Sequence, residues 1–345
     1  MNPFDISFGK TPEANVSRYA QMKEIKDTFS AENISRQIYM ITGVRGSGKT
    51  VLMNHIANDY EKEEDWIVIR LNPDRDMLQG MLSKLHSDRE CSEIFKNAKI
   101  NLSFFGFGVE ISGEPQITDM ETAIEKMLKS LKKKKKRVLV TIDEVTCTEY
   151  IRIFSSAFQI FVGQELPIFL LMTGLYENIE ELQNQKNLTF LYRAPKIKMK
   201  PLNMGVVANR YQTIFHLSEE EAHRMAFMTK GYPFAFQALG YSRWNHGDDE
   251  NEAFCEYRQL LEEYVYEKIW SELSPKDKKI AGGIARCPEG RIKEINELLG
   301  LKTDEINQYR KRLIRKGIVD GSEYGRITFT LPYFDAFVLD QMTMD

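Results

Sequence analysis

Eight residues, Gly43-Val-Arg-Gly-Ser-Gly-Lys49-Thr50, place three glycines ahead of a lysine and a hydroxyl in the spacing G-x-x-x-x-G-K-[ST]. Residue types in this order suit a triphosphate. Glycines let backbone N–H groups turn inward on phosphate oxygens, and a helix starting at the loop adds partial positive charge. Lys49 then reaches the β- and γ-phosphates, and the Thr50 hydroxyl ligates Mg2+. Gly43, Arg45, Gly46, Ser47, Gly48, Lys49, Thr50 and Val51 are the expected phosphate-binding set. The chemistry also needs a strand that ends in a carboxylate on the metal side. Arg137-Val-Leu-Val-Thr-Ile-Asp143-Glu144 supplies one, an apolar run closed by two acids. Asp143 is the metal-side residue, and Glu144 is placed to orient and deprotonate an attacking water. A carboxylate directly after the first acid favours hydrolysis over transfer to a small molecule.

These residues need a scaffold. Gln37–Thr42 has the composition of a buried strand, and Val51, Leu52, Ile56 and Ala57 recur at helical spacing after the loop. Three further runs, Trp66–Leu71, Ile168–Thr173 and Ile197–Leu202, complete a predicted set of five strands. Helical patterns at Met77–Leu85, Met120–Leu131 and Tyr150–Phe161 alternate with them, which predicts a parallel sheet covered on both faces. The fold class is α/β, a three-layer P-loop NTPase. With the strands of the two motifs as parallel neighbours, the loop and the acids emerge side by side at one sheet edge. Asn101–Ile111 alternates in polarity and carries glycine, so a β-hairpin or edge ribbon is expected at about 99–113, with Phe104, Phe105 and Phe107 packed on the core or, alternatively, forming a partner contact.

Bulk properties narrow the remaining classes. A chain of 345 residues implies two or three domains, and 42% hydrophobic with 28% charged residues is the composition of a folded protein. The net charge of −3 gives no global attraction to nucleic acid. Cys91, Cys147, Cys255 and Cys287 are too scattered for a zinc site. The N-terminus is interrupted by charge and proline before any signal-like apolar core forms, and no apolar run approaches the ~20 residues of a membrane span. A cytoplasmic protein without membrane contact is expected. The run Lys132–Lys136 reads either as a solvated helix end that complements the helix dipole or as a nucleic-acid contact.

With GVRGSGKT, VLVTIDE, FLLMTG and Gly231-Tyr-Pro233 in view, the chain resembles an AAA+ ATPase. The likeness is to the branch of archaeal-type ATPases, STAND nucleotidases and origin-recognition ATPases. The phrase NPFDISFGKTP with Ser17-Arg18-Tyr19 is similar to the lead-in this branch places over adenine. The resemblance implies ATP or ADP as ligand. It implies Thr173 as a polar sensor of the terminal phosphate or lytic water. It implies Arg193 as a finger reaching a neighbouring subunit's nucleotide, and hence a homo-oligomer. Gly231 and Pro233 match the element heading a lid helix near the nucleotide, although no arginine follows promptly.

The expected domains are an ATPase domain over 1–202, with a lead-in over 1–36, a helical lid over 203–262, and a winged helix over 263–345. Ser218-Glu-Glu-Glu221 predicts a capped helix in the lid. Helices from Ser274-Pro275, over Arg291–Leu299 and over Thr303–Lys316 precede two predicted strands within Ile318–Leu331, the order of a winged helix-turn-helix. Arg310, Lys311, Arg312, Arg315, Lys316 and Arg326 form a basic set suited to DNA phosphates. Asp304 and Glu305, in the first turn of the third helix, oppose base readout, and a protein-facing role stands equally. Two functions therefore compete: an ATPase that moves its winged helix and acts on DNA, and a slow STAND-like switch that regulates a protein partner.

Overall fold

The structure is a computed structural model that describes residues 1–7, 12–106, 117–301 and 303–344. The chain forms two compact units. One holds residues 18–42 and 52–198; the other holds 1–17, 43–51 and 199–345.

The first unit is built on five parallel strands, β1 (Ile38–Thr42), β2 (Trp66–Leu71), β3 (Arg137–Ile142), β4 (Ile168–Gly174) and β5 (Lys196–Lys198). Strand side chains alternate between faces. Met40, Ile69, Val140, Leu170 and Met172 pack on one side into a core shared with helices α3 (Met77–Ser87), α4 (Arg89–Asn97), α5 (Met120–Lys133), α6 (Glu149–Gly163) and α7 (Tyr176–Gln183). On the other side Tyr39, Trp66 and Phe169 meet Phe29 of α1 (Tyr19–Phe29) and Tyr60 of α2 (Lys49–Tyr60). The result is the three-layer P-loop NTPase architecture expected from the pattern.

The strand order is β2-β3-β4-β1-β5, which corrects one expectation. β1 and β3 are not neighbours; β4 lies between them. β4 is buried along its whole length, and a strand that apolar belongs at the sheet centre. β5 is also shorter than expected and ends before Pro201, which has no N–H to give a ladder. No strand forms in the described part of 99–113. Ser103–Phe105 makes a 3₁₀ turn, with Phe105 against the core and Phe104 exposed; Phe107 and the rest of that segment lie outside the described residues. The lysine run sits at the end of α5, where Lys132 donates to the Glu165 carbonyl and Lys136 to that of Glu64.

The second unit is helical. It contains α8 (Met204–Phe215), α9 (Glu219–Thr229), α10 (Pro233–His246), α11 (Glu250–Leu261), α12 (Glu267–Ser271), α13 (Pro275–Ala285), α14 (Ile292–Leu299), α15 (Thr303–Lys316) and α16 (Phe334–Met344). The capping box at Ser218 and Glu221 opens α9 as expected. A π-helical turn, Glu262–Tyr266, joins α11 to α12 without a break. Residues 250–271 thus form one helical run. Residues on both sides of it, from Phe4 and Tyr211 to Phe329 and Phe337, share a single apolar core. After α15 a short antiparallel ribbon pairs β6 (Val319–Asp320) with β7 (Thr328–Phe329).

Candidate nucleotide-binding site

Asp143 follows the last residue of β3, and Thr173 lies at the end of β4, in neighbouring strands whose register pairs Ile142 with Met172. The buried Thr173 hydroxyl donates to Asp143 Oδ1 and accepts the Glu144 N–H at 3.1 Å. The Thr173 carbonyl accepts the Val145 N–H at 2.9 Å, and Asp143 Oδ1 accepts the Glu144 N–H at 3.1 Å. Residues 143–145 are thus wrapped around one threonine. The turn puts Glu144 at φ +50°, the left-handed region, which costs a non-glycine residue roughly 1–3 kcal/mol and recurs at functional sites. The Glu144 side chain is left exposed while Asp143 is half-buried. A threonine hydroxyl has one proton to donate. Here it goes to Asp143.

The glycine-rich loop begins one residue after β1 and ends in the first turn of α2. Gly46 and Gly48 have φ of +75° and +83°, so the loop path requires glycine at both places. Ser47 N–H donates to the Val44 carbonyl at 3.2 Å. Lys49 is 8% exposed, and its Nζ donates to the Gly43 and Val44 carbonyls, each at 3.1 Å. The lysine head is thereby drawn to the base of the loop.

The outer side of the loop is occupied by residues far along the chain. The Tyr232 hydroxyl donates to the Arg45 carbonyl at 2.6 Å, and Phe234 N–H donates to the Gly46 carbonyl at 3.2 Å. The Arg45 guanidinium pairs with Glu272 at 3.0 Å, just beyond α12. Gly317, at the end of α15, approaches Val44 closely enough that a Cβ there would sit 3.6 Å from it. Gly231 has φ +70°, and a Cβ would meet the Leu202 carbonyl at 2.6 Å, so only glycine lets the chain turn into Tyr232. Pro233 is the first residue of α10 and lies near Gly48.

The expected set is therefore placed unevenly. The loop residues, Gly231 and Pro233 come together in one unit; Asp143, Glu144 and Thr173 come together in the other. Arg193 ends the 3₁₀ segment Lys186–Arg193 and is exposed. The basic set does not form one outward face. Arg312 turns inward to the buried Asp277 (Nε–Oδ1 2.8 Å) and to Ser274, and it anchors α15 to the start of α13. Arg310 donates to the Gly321 carbonyl, and Arg326 pairs with Glu323. Lys311 and Arg315 are exposed, Lys316 half-buried. Tyr232, Phe234 and Glu272 were not foreseen. Tyr232 had a signal, since it stands inside the Gly231-Tyr-Pro233 tripeptide; Glu272 had none.

A family model described as an ATPase domain predominantly from Archaea matches residues 16–191, just over half of the chain. The chain belongs to this archaeal ATPase family. A second model, described as a domain of unknown function (DUF8462), matches residues 263–338 of the same archaeal-type ATPase. Among solved structures, the ATPase is similar to the Walker-type ATPase paby2304 of Pyrococcus abyssi. That match has a TM-score of 0.64 at 16% identity and covers 97% of this chain and 99% of the other. It is also similar to the Aeropyrum pernix ORC2 protein in its ADPNP–ADP complexes, with a TM-score of 0.60 at 13% identity over 99% and 98% of the two chains. At such identities the likeness is one of fold, and the fold is the AAA+-like one. A search of curated proteins returns no match. Among the described residues no helix is long and apolar enough to cross a membrane.

Proposed function

We propose that this archaeal-type ATPase binds ATP in the loop at 43–50, hydrolyses it with the Asp143–Glu144 pair, and passes the nucleotide state to its C-terminal region. The observation that carries the reading is the grip on the loop. Arg45 and Gly46 are bonded directly to Tyr232, Phe234 and Glu272, so a change in loop conformation on binding or turnover reaches α10 and α12 through single contacts.

Lys49, Gly46, Ser47 and Gly48 hold the triphosphate in this proposal, with Val51 continuing the helix whose first turn faces it. Gly231 and Pro233 set the adjoining lid turn. Glu144 orients the attacking water and takes its proton, and Thr173 keeps the acid pair in register. Thr50 and Asp143 are the residues proposed to serve a magnesium ion. A hydroxyl with a single carboxylate suits this ion, which keeps most of its sites for phosphate oxygens and water. When bound, it supplies charge stabilisation to the transferring phosphoryl group. Arg193, being exposed, is proposed to act from one copy toward the next in an oligomer.

Residues 263–345 are proposed to work as a winged helix, with α15 in the recognition position and β6–β7 as the wing. Inward use of Arg312 and Arg310 favours a nucleotide switch that presents this region to a protein partner. Contact with DNA through Lys311, Arg315 and Lys316 is the second reading, and it predicts ATPase stimulation by DNA at low salt. The central test is Glu144→Gln. ATP binding is expected to persist while turnover falls by about 10²–10⁴-fold, the range of a lost general base. Unchanged turnover removes Glu144 from the mechanism.

A further inference from the structure

Tyr232 belongs to neither the phosphate-binding set nor the acid pair, yet its hydroxyl lies 2.6 Å from a carbonyl of the loop. We propose that Tyr232 is a positioning residue for phosphate binding: by holding the Arg45 carbonyl, its hydroxyl fixes the orientation of the Arg45–Gly46 peptide and aims the Gly46 amide. The inference rests on the reading that nucleotide binds at the loop.

A trans peptide is planar, with its carbonyl and the following N–H on opposite sides. Fixing the Arg45 carbonyl outward on Tyr232 therefore directs the Gly46 N–H to the opposite side of the loop. Without that bond the peptide has an alternative. Gly46 has no Cβ and accepts either sign of φ, so a peptide ending at glycine can flip and turn its carbonyl toward the phosphates, where it repels them. Phe234 N–H holds the next carbonyl, that of Gly46, at 3.2 Å, and so Tyr232 and Phe234 together grip two successive peptides of the loop.

The gripping residue is itself rigid. Tyr232 is 4% exposed, its N–H donates to the Thr229 carbonyl at 2.8 Å, and its neighbour Pro233 has a fixed φ as the first residue of α10. The preceding Gly231 carbonyl accepts the Leu202 N–H at 2.7 Å. The phenol thus reports the position of α10 to the loop with little slack. Burial raises the affinity of the phenol for its proton, so it remains a donor throughout the neutral range.

The test is Tyr232→Phe in the full-length protein, a change that keeps the buried ring and deletes only the hydroxyl. Affinities for ADP and ATP are read by calorimetry on nucleotide-stripped protein, with steady-state kinetics alongside. Both affinities are expected to weaken about fivefold to tenfold, the equivalent of one hydrogen bond of ordinary net strength, and KM is expected to rise more than kcat falls. A purely structural role would lower the melting temperature of the nucleotide-free protein and leave the affinity of the folded protein within about twofold of wild type; that result overturns the proposal. Wild-type protein that binds neither nucleotide overturns the reading of the loop itself, an outcome distinct from normal wild-type binding with an unaffected Tyr232→Phe variant.

Discussion

The acidic corner and the glycine loop both begin where a β-strand ends, yet they are held by opposite means. Asp143, Glu144 and Val145 are secured by Thr173, a residue of the adjacent strand, through hydrogen bonds that follow from sheet register. The loop is secured by Tyr232 and Glu272, residues 187 and 227 positions away from Arg45. A corner locked by its own sheet keeps one geometry. A loop gripped by helices outside that sheet takes its geometry from wherever those helices stand. In the proposed function the first region carries the chemistry and the second the communication.

Substitutions can break this contrast at either end. The largest effect is expected from Lys49→Ala, which deletes the charge drawn to the loop base. ATP affinity should fall by about a hundredfold or more in calorimetry, the scale of a lost charge-assisted phosphate contact. A small loss would mean that Lys49 serves only to tie the Gly43 and Val44 carbonyls. Thr173→Val should act on the other region. It removes the donor to Asp143 and the acceptor for Glu144 N–H, with an expected cost of about 1–3 kcal/mol in denaturant unfolding. Turnover should fall about tenfold, the scale of a catalytic group poorly oriented by about 1.4 kcal/mol, with ATP affinity little changed. If affinity collapses instead, Thr173 contacts the nucleotide directly, as the family resemblance first implied.

Much of the fold was legible in the sequence because its signals are local. Strand composition, the glycine-lysine spacing and the capping box at Ser218 each lie within a few residues, and the elements they mark formed, although β5 stops at Lys198 and the described part of 99–113 makes no strand. Strand order was not legible. Nothing within β1 or β3 states that β4 lies between them; that follows from which strand is most apolar on both faces. The same limit hid the internal roles of Arg310 and Arg312. A run of basic residues along a helix reads as one surface face, whereas the buried Asp277 that recruits Arg312 stands 35 residues earlier. Glu272 carries no local signal for the same reason, since only the folded unit brings it to Arg45. The half-exposed ion pair it forms is worth no more than about 1 kcal/mol, so its importance lies in what it connects.

That connection can be measured. Amide hydrogen exchange of the Glu144→Gln variant, compared without nucleotide, with ADP and with ATP, reads both regions in one experiment. Protection should rise at residues 43–51 with either nucleotide. It should also differ between ADP and ATP at Tyr232–Ala235, Glu267–Leu273 and Gly317–Val319, the segments that touch the loop or adjoin its contacts. Nucleotide-dependent protection confined to the loop and the sheet, with exchange over 199–345 identical in all three states, would contradict the claim that the loop reports its occupancy to the C-terminal region.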